Sequence, residues 1–195
     1  MNAEVFVNGK SLGTHHYGYS AFTHDITDLL HTGSNTIAVS VDNSKQKNSR
    51  WYSGSGIYRH VWLLCTDEVH FKHWGTFITT PEVSEARSLV NVSAEIVNDS
   101  GDDRSVKAEI ILYGPDGREV GRIEDVLELP EGDDITWIKD VAVENAELWS
   151  PDTPAVYTAR LNVYEDGKLM DSIEETFGIR SVSYSAEEGL ILNGN

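Results

Sequence analysis

Apolar residues recur at every second position along much of this chain, and this alternation constrains the fold more than any other feature. A period of two is typical of strands with one buried face, whereas an amphipathic helix needs a period near 3.6. The clearest runs cover residues 90–96, 106–112, 135–137, 141–143 and 157–163. Turn residues separate them at 98–101, 114–117, 130–133 and 165–168. The pattern predicts an antiparallel β-sandwich over residues 67–177, immunoglobulin-like in layout.

The first 66 residues also favour β-structure. Asn8-Gly9 predicts a two-residue hairpin turn between strands at 5–7 and 12–17, and further strands are predicted at 37–41 and 57–64. Residues 25–30 predict one turn of helix, with Asp25 or Thr27 as its N-cap. About four strands are few for a closed sandwich. We therefore expect half of a larger β-domain, less stable than the second, with open strand edges that a second copy can cover.

Charge suggests a boundary between the two parts. Residues 1–66 hold five basic and four acidic side chains, whereas the remainder holds 10 basic and 28 acidic ones. Such a shift favours two domains joined near residues 66–68. One domain with an acidic face remains the alternative.

Composition excludes several classes of partner. A net charge of −17 disfavours nucleic acid and anionic membrane surfaces, and no run of about 18 apolar residues could span a membrane. The single Cys65 cannot form an internal disulfide. His15-His16 and His70-x-x-His73 would point to opposite faces of a strand, so we predict no metal and no cofactor. The start lacks a signal-peptide pattern and both ends resemble cuts in a longer chain, which leaves the compartment open.

One long segment, residues 42–56, has the composition of a binding loop. It is polar, then aromatic at Trp51 and Tyr52, then rich in glycine. An aromatic ring beside Asn48, Ser49 and Arg50 suits a sugar, which stacks its C–H face on the ring and hydrogen-bonds through its hydroxyls. The alternative is that the rings fold back on their own domain. A phosphate loop is excluded because the following residues predict a strand rather than a helix.

Several motifs then identify a resemblance. Residues 7–10 with Gly13, 19–22, 25–27 and 33–39, and above all Arg50-Trp51-Tyr52-Ser53-Gly54-Ser55-Gly56-Ile57-Tyr58-Arg59, resemble the sugar-binding domain of glycoside hydrolase family 2. Residues 148–151 and 154–157 resemble the end of its immunoglobulin-like domain, and 177–180 and 192–194 the approach to its catalytic barrel. The resemblance implies an all-β chain. Residues 1–66 would be the C-terminal half of a jelly-roll β-sandwich, 67–177 an immunoglobulin-like antiparallel β-sandwich, and 178–195 a linker and the start of a (β/α)₈ barrel.

The resemblance also implies an activity. The family contains retaining β-galactosidases, β-glucuronidases and β-mannosidases that cleave terminal β-glycosidic bonds with two barrel glutamates, the acid/base following an asparagine. This chain has no Asn-Glu dipeptide, so the resemblance implies a catalytically inactive portion of a β-galactosidase-like enzyme, with no catalytic residue. Its partners would be the barrel and, through the whole enzyme, a carbohydrate.

The resemblance assigns roles within the loop. In the β-galactosidases an acidic residue two positions before the tryptophan holds the sugar, and here that position is Ser49. Asn48, Ser49 and Arg50 are therefore expected at the active-site rim without the charged contact, whereas Trp51, Tyr52 and Arg59 are expected to be structural. Two other functions stay open. One is a stand-alone carbohydrate-binding module with Trp51 and Tyr52 as its platform, and the other is an immunoglobulin-like structural or adhesive module without a ligand.

Overall fold

The computed structural model describes residues 1–44 and 54–194, which form two compact units, Met1–Leu63 and Leu64–Asn195. Apart from one turn of 3-10 helix, the regular structure of the described residues consists of antiparallel β-strands. The predicted all-β fold class is thereby confirmed. The described part of the chain contains no helix that is long and apolar enough to cross a membrane.

The first unit is built on a three-stranded sheet. Its strands β1 (Ala3–Val7), β2 (Lys10–His15) and β3 (Ile37–Val41) lie in the order β2-β1-β3. Asn8 and Gly9 both adopt positive φ, 51° and 82°, as the predicted two-residue hairpin turn requires. Asn8 also donates through Nδ2 to the carbonyl of Leu29 and accepts from the amide of Thr36, at 2.8 and 2.9 Å. One side chain thus ties the hairpin to the segment that leads into β3.

In the first unit the predicted turn of helix is present, but its predicted N-cap and one predicted strand are wrong. The predicted helical turn is only a 3-10 turn at Thr27–Leu29, and its N-cap is Ile26. Asp25 instead accepts from the amide and hydroxyl of Thr27, so it closes a side-chain turn before the helix. Residues 57–64, predicted as a strand, form no strand. Their apolar side chains are exposed, and among the described residues no strand pairs with them to satisfy their backbone groups.

The second unit is a seven-stranded sandwich followed by a hairpin. One sheet has the order β4-β5-β8, formed by β4 (Val69–Glu82), β5 (Arg87–Asn98) and β8 (Asp134–Glu144). The other has the order β10-β9-β6-β7, formed by β6 (Arg104–Tyr113), β7 (Glu119–Leu129), β9 (Tyr157–Glu165) and β10 (Lys168–Phe177). A hairpin of β11 (Val182–Ser185) and β12 (Gly189–Leu192) follows.

The core of the second unit lies between these two sheets. Alternate residues of the central strands supply it, and those with no exposed surface are Val90, Val92, Ala94, Ile96, Ala108, Ile110, Leu112, Ala159, Leu161 and Val163. No disulfide links the sheets, since Cys65 is free and exposed. Trp137 on β8 is buried and donates through Nε1 to Asp125 Oδ2 at 2.8 Å, which satisfies its polar atom.

Candidate functional site

Most of the predicted binding loop, residues 45–53, lies outside the ranges 1–44 and 54–194 that the structure describes. Asn48, Ser49, Arg50, Trp51 and Tyr52 lie outside the described residues. Arg59, expected to be structural, is exposed, and its guanidinium carbon lies 5.6 Å from the centre of the Tyr58 ring.

The two ends of the loop meet at the edge of the first sheet. Asn43 Nδ2 donates to the carbonyl of Gly54 at 3.5 Å, which joins residues 11 apart in sequence. The amide of Asp42 donates to the carbonyl of Asn2, and Asn2 Nδ2 donates back to the carbonyl of Asp42, both at 3.1 Å. The base of the loop is therefore held by the start of β1 and the end of β3, as expected of a binding loop on a rigid β-scaffold.

The first unit, which carries the base of this loop, also has three exposed tyrosines. The hydroxyl of Tyr58 donates to the carbonyl of Gly18 at 2.7 Å, and Gly18 separates Tyr17 from Tyr19, whose ring centres lie 5.6 Å apart. Each of the three tyrosines is more than half exposed. Sequence reasoning overlooked this group, although the Tyr-Gly-Tyr run at 17–19 was its available signal. Rings of this kind can stack against a sugar face.

The described carboxyl groups with clearly shifted pKa values lack the property of a glycosidase's catalytic acid. A general acid needs a raised pKa, but in residues 1–44 and 54–194 every carboxyl pKa that clearly shifts is lowered. The carboxyl groups with a lowered pKa, each given with the hydrogen-bond donor that lowers it most, are Asp25 with Thr27, Asp67 with Lys168, Glu119 with Arg122, Asp125 with Lys139, and Asp134 with Lys72.

One carboxylate, Glu109, is almost fully buried, but its oxygens are occupied. Oε1 pairs with Arg122, and Oε2 accepts from Asn162 Nδ2 at 2.9 Å and from the hydroxyl of Tyr164 at 3.4 Å. Asn162 in turn accepts from the hydroxyl of Ser172 at 2.7 Å. This row runs across all four strands of one sheet, so Glu109 stabilises the sheet rather than a reacting group.

The lowered pKa values predict a pH dependence of stability. Asp125 has a folded-state pKa below its unfolded value of about 4, because Lys139 and Trp137 bind the charged form. Its stabilisation is therefore fully present above that value and is lost as the pH falls through the lower folded pKa. We expect the Tm difference between wild type and Asp125→Asn to be largest above pH ~4 and to shrink below it. Thermal unfolding followed by circular dichroism measures the difference, and Asp152→Asn is the control because Asp152 is exposed.

Three histidines of the two closely spaced pairs in the sequence have separate hydrogen-bond partners. His15 Nε2 contacts Ser20 Oγ, His16 Nδ1 contacts Asn2 Oδ1, and His70 Nδ1 contacts the carbonyl of Asp67, all at 3.0 or 3.1 Å. Within residues 1–44 and 54–194 no group of three or more His, Cys, Asp or Glu side chains could hold a metal ion.

Three sequence motifs, at residues 148–151, 177–180 and 192–194, contact one another in the second unit. The amide of Trp149 donates to the carbonyl of Ile179 at 2.8 Å, and the guanidinium of Arg180 lies 4.5 Å from the Trp149 ring centre. Asn193 Nδ2 donates to the carbonyl of Trp149 at 3.0 Å. A Cβ atom on Gly178 would approach Trp149 to 2.9 Å, so only glycine fits there without a shift. These contacts fasten the β11–β12 hairpin to the sandwich.

Comparison with known proteins agrees with these motifs. A family model described as glycosyl hydrolases family 2 matches residues 69–180. The chain is 40% identical to the β-galactosidase BoGH2A of Bacteroides ovatus, over 100% of this chain but 23% of that protein. It is 35% identical to a putative β-glucuronidase of Formosa agariphila, over 100% of this chain and 18% of that protein.

A solved structure gives the same result for the fold. A glycosyl hydrolase family 2 member from Bacteroides cellulosilyticus superposes on 100% of this chain with a TM-score of 0.95 and 37% sequence identity, and this chain covers 27% of it. The chain thus spans about a quarter of the length of the relatives it matches.

Proposed function

The chain belongs to glycosyl hydrolases family 2, and we propose that it forms non-catalytic β-domains of a longer, β-galactosidase-like retaining glycosidase. Residues 1–66 would be the partial sugar-binding domain, 67–177 the immunoglobulin-like domain, and 178–195 the connection to a catalytic barrel. The enzyme would hydrolyse terminal β-glycosidic bonds in carbohydrates. The single observation that carries this proposal is the 40% identity along the whole chain to a β-galactosidase of which it spans only 23%.

The chemistry of the described residues supports a non-catalytic role. The buried carboxylate Glu109 is hydrogen-bonded across its own sheet, and the shifted carboxyl pKa values are lowered rather than raised. Hydrolysis with retention needs one carboxyl that keeps its proton and a second that is a free nucleophile. None of the described carboxyls whose pKa clearly shifts has the raised pKa of such an acid, so we infer that the enzyme's catalytic carboxyls come from another domain.

The first unit supports a role within a larger domain. Ile57, Val61 and Leu63 are each more than 60% exposed, and in residues 1–44 and 54–63 Val7 is the only buried apolar side chain. Apolar surface of this extent is costly in water and favours burial against further protein. Asn48, Ser49 and Arg50 stay proposed as substrate contacts at the active-site rim, and Trp51, Tyr52 and Arg59 as supports of that loop.

Hydrolysis of chromogenic substrates tests the proposal. We expect the 195-residue chain to release no nitrophenol above the blank from nitrophenyl β-galactoside or β-glucuronide. Expression of the chain together with the coding sequence that adjoins it should yield an enzyme that prefers the galactoside. Turnover by the 195-residue chain that Glu109→Gln abolished would contradict the non-catalytic role, and preference for the glucuronide would contradict the sugar assignment.

A further inference from the structure

The edge strand β4 contains a wide bulge that displays a tryptophan. Phe71 pairs with Ile96 and Thr76 pairs with Ala94, so β4 advances five residues while β5 advances two. The four residues 72–75 therefore stand opposite the single residue Glu95. Bulges occur often beside binding and active sites, where they redirect a side chain. Here the redirected side chain is Trp74, which is 70% exposed.

The bulge is fixed by specific contacts. Lys72 Nζ lies 2.6 Å from Glu95 Oε2 and 2.7 Å from Asp134 Oδ2, so its ammonium joins β4 to the other two strands of its sheet, β5 and β8. A Cβ atom on Gly75 would lie 2.8 Å from Lys72 Cβ and 2.9 Å from the Lys72 carbonyl, so the bend needs glycine. These contacts hold the bulge in one shape.

Trp74 itself adopts an unfavourable backbone conformation. Its φ is +61°, in the left-handed region that glycine tolerates and large side chains rarely adopt. Strain of this kind costs about 1–3 kcal/mol and clusters at functional sites, where the surrounding structure maintains it. The ring gains little burial in return, and its contact is with the ring of His73 at 4.4 Å between centres. Stability of the chain therefore gives no reason for a tryptophan here.

A groove runs beside the displayed ring. It has a volume of about 330 Å³ and lies between β4 and β10, the adjacent edge strands of the two sheets. Its lining combines rings with polar groups, namely Trp74, Thr76, Phe77, Ile78, Glu175, Thr176 and Phe177. A volume near the lower end of the range for small-molecule sites fits a mono- or disaccharide unit.

Two polar side chains of the groove, Glu175 and Thr76, can accept or donate further hydrogen bonds. Glu175 is exposed and forms no ion pair with any described residue. Thr76 Oγ1 is buried and has no hydrogen-bond partner in the described part of the chain, which costs about 1–3 kcal/mol. Thr76 lines the groove, so this hydroxyl is close to any ligand that occupies it. A ligand with several hydroxyl groups would satisfy both side chains.

We propose that this groove is a binding site for a neutral saccharide. The sugar stacks a C–H face on Trp74, with Phe77 extending the platform, and its hydroxyls donate to Glu175 and exchange hydrogen bonds with Thr76 and Thr176. The unpaired carboxylate of Glu175 selects against anionic sugars such as uronic acids, because like charges repel. The groove would attach the protein to a glycan, and this role does not depend on the proposed hydrolase activity.

Isothermal titration of the 195-residue chain with lactose, cellobiose and methyl β-glucuronide tests the site. We expect saturable millimolar binding of at least one neutral disaccharide and weaker binding of the glucuronide. Trp74→Gly should weaken the disaccharide at least about tenfold without loss of stability, because glycine relieves the positive φ. Trp74→Tyr should restore much of the affinity. Trp62→Ala is the control, since Trp62 is 78% exposed in the first unit.

Three results would overturn the proposal. The first is the absence of saturable binding of either disaccharide up to its solubility limit. The second is sugar binding that Trp74→Gly leaves unchanged, which would place the site elsewhere. The third is self-association in sedimentation that Trp74→Gly abolishes in a chain that binds no sugar, which would make the patch a protein-docking surface.

Discussion

Replacing Asn98 by alanine lowers the free energy of unfolding of the second unit by about 4 kcal/mol. The side chain has no exposed surface, and its Nδ2 donates to the carbonyls of Asp102, Leu129 and Pro130 at 2.9, 3.1 and 3.0 Å. Its Oδ1 accepts from the amide and hydroxyl of Ser100. One amide thus links the end of β5 to the start of the β7–β8 turn. Alanine removes all five of these hydrogen bonds at a side chain that has no exposed surface.

Urea unfolding measures this loss. With a slope of about 2 kcal/mol per molar urea, the midpoint should fall by about 2 M. Asn91→Ala is the matched control, because Asn91 lies on the same strand and its Nδ2 donates only to the side chain of Asp140, at 2.7 Å. Its cost should stay below about 0.5 kcal/mol, as for most surface changes. Equal midpoints for the two variants would show that the buried network contributes little.

The inner strands of the sandwich could be predicted from the sequence because one physical cause determines their pattern. A strand with a neighbour on each side and one face on the core buries every second residue. The prediction of burial at Val90, Val92, Ala94 and Ile96 is confirmed, and all four have no exposed surface. The predicted apolar positions of β6 and β9 are likewise buried, and Glu109, Ile111 and Asn162 are buried on the opposite face as well.

Three edge strands, β4, β7 and β10, were not singled out by the same reasoning. Adjacent charged residues, Glu124-Asp125 in β7 and Glu174-Glu175 in β10, lie on opposite faces of their strands and weaken the alternation, whereas the fourth edge strand, β8, keeps it and was predicted. In β4 the bulge at 72–75 also breaks the register, which hides a strand of 14 residues. Trp74 escaped notice for this reason, because only the shape of the bulge exposes it.

The apolar segment 57–64 shows a different limit. Its composition favours a strand, and yet it forms none, since a strand needs a partner for its backbone groups. The local sequence encodes a preference for the strand conformation, but it does not encode whether another strand is available to form hydrogen bonds with it. The motifs at 148–151, 177–180 and 192–194 suggested a family by their order, whereas the contacts among Trp149, Arg180 and Asn193 that join them appear only in three dimensions.

We expect amide hydrogens of β1 to exchange with solvent at least about 1,000-fold faster, relative to their intrinsic rates, than those of β5. Both strands are the central member of a three-stranded antiparallel sheet, so their hydrogen-bonding patterns are matched. They differ in what covers them. Val7 is the one buried side chain of β1, whereas Val90, Val92, Ala94 and Ile96 of β5 lie in a core shared by two sheets.

The size of the difference follows from the opening free energies. Amides of β5 exchange through global unfolding of the sandwich, at about 5–15 kcal/mol. A three-stranded sheet with little apolar cover opens locally at a few kcal/mol less than that, and each 1.4 kcal/mol is a factor of about ten in protection. The exchange is measured by NMR or mass spectrometry on a sample that sedimentation shows to be monomeric, because a second copy could cover the open edges. Equal protection of the two strands in that monomer would mean that the first unit is stable by itself. It would then need no further protein to complete it, and its proposed place as half of a sugar-binding domain would be wrong.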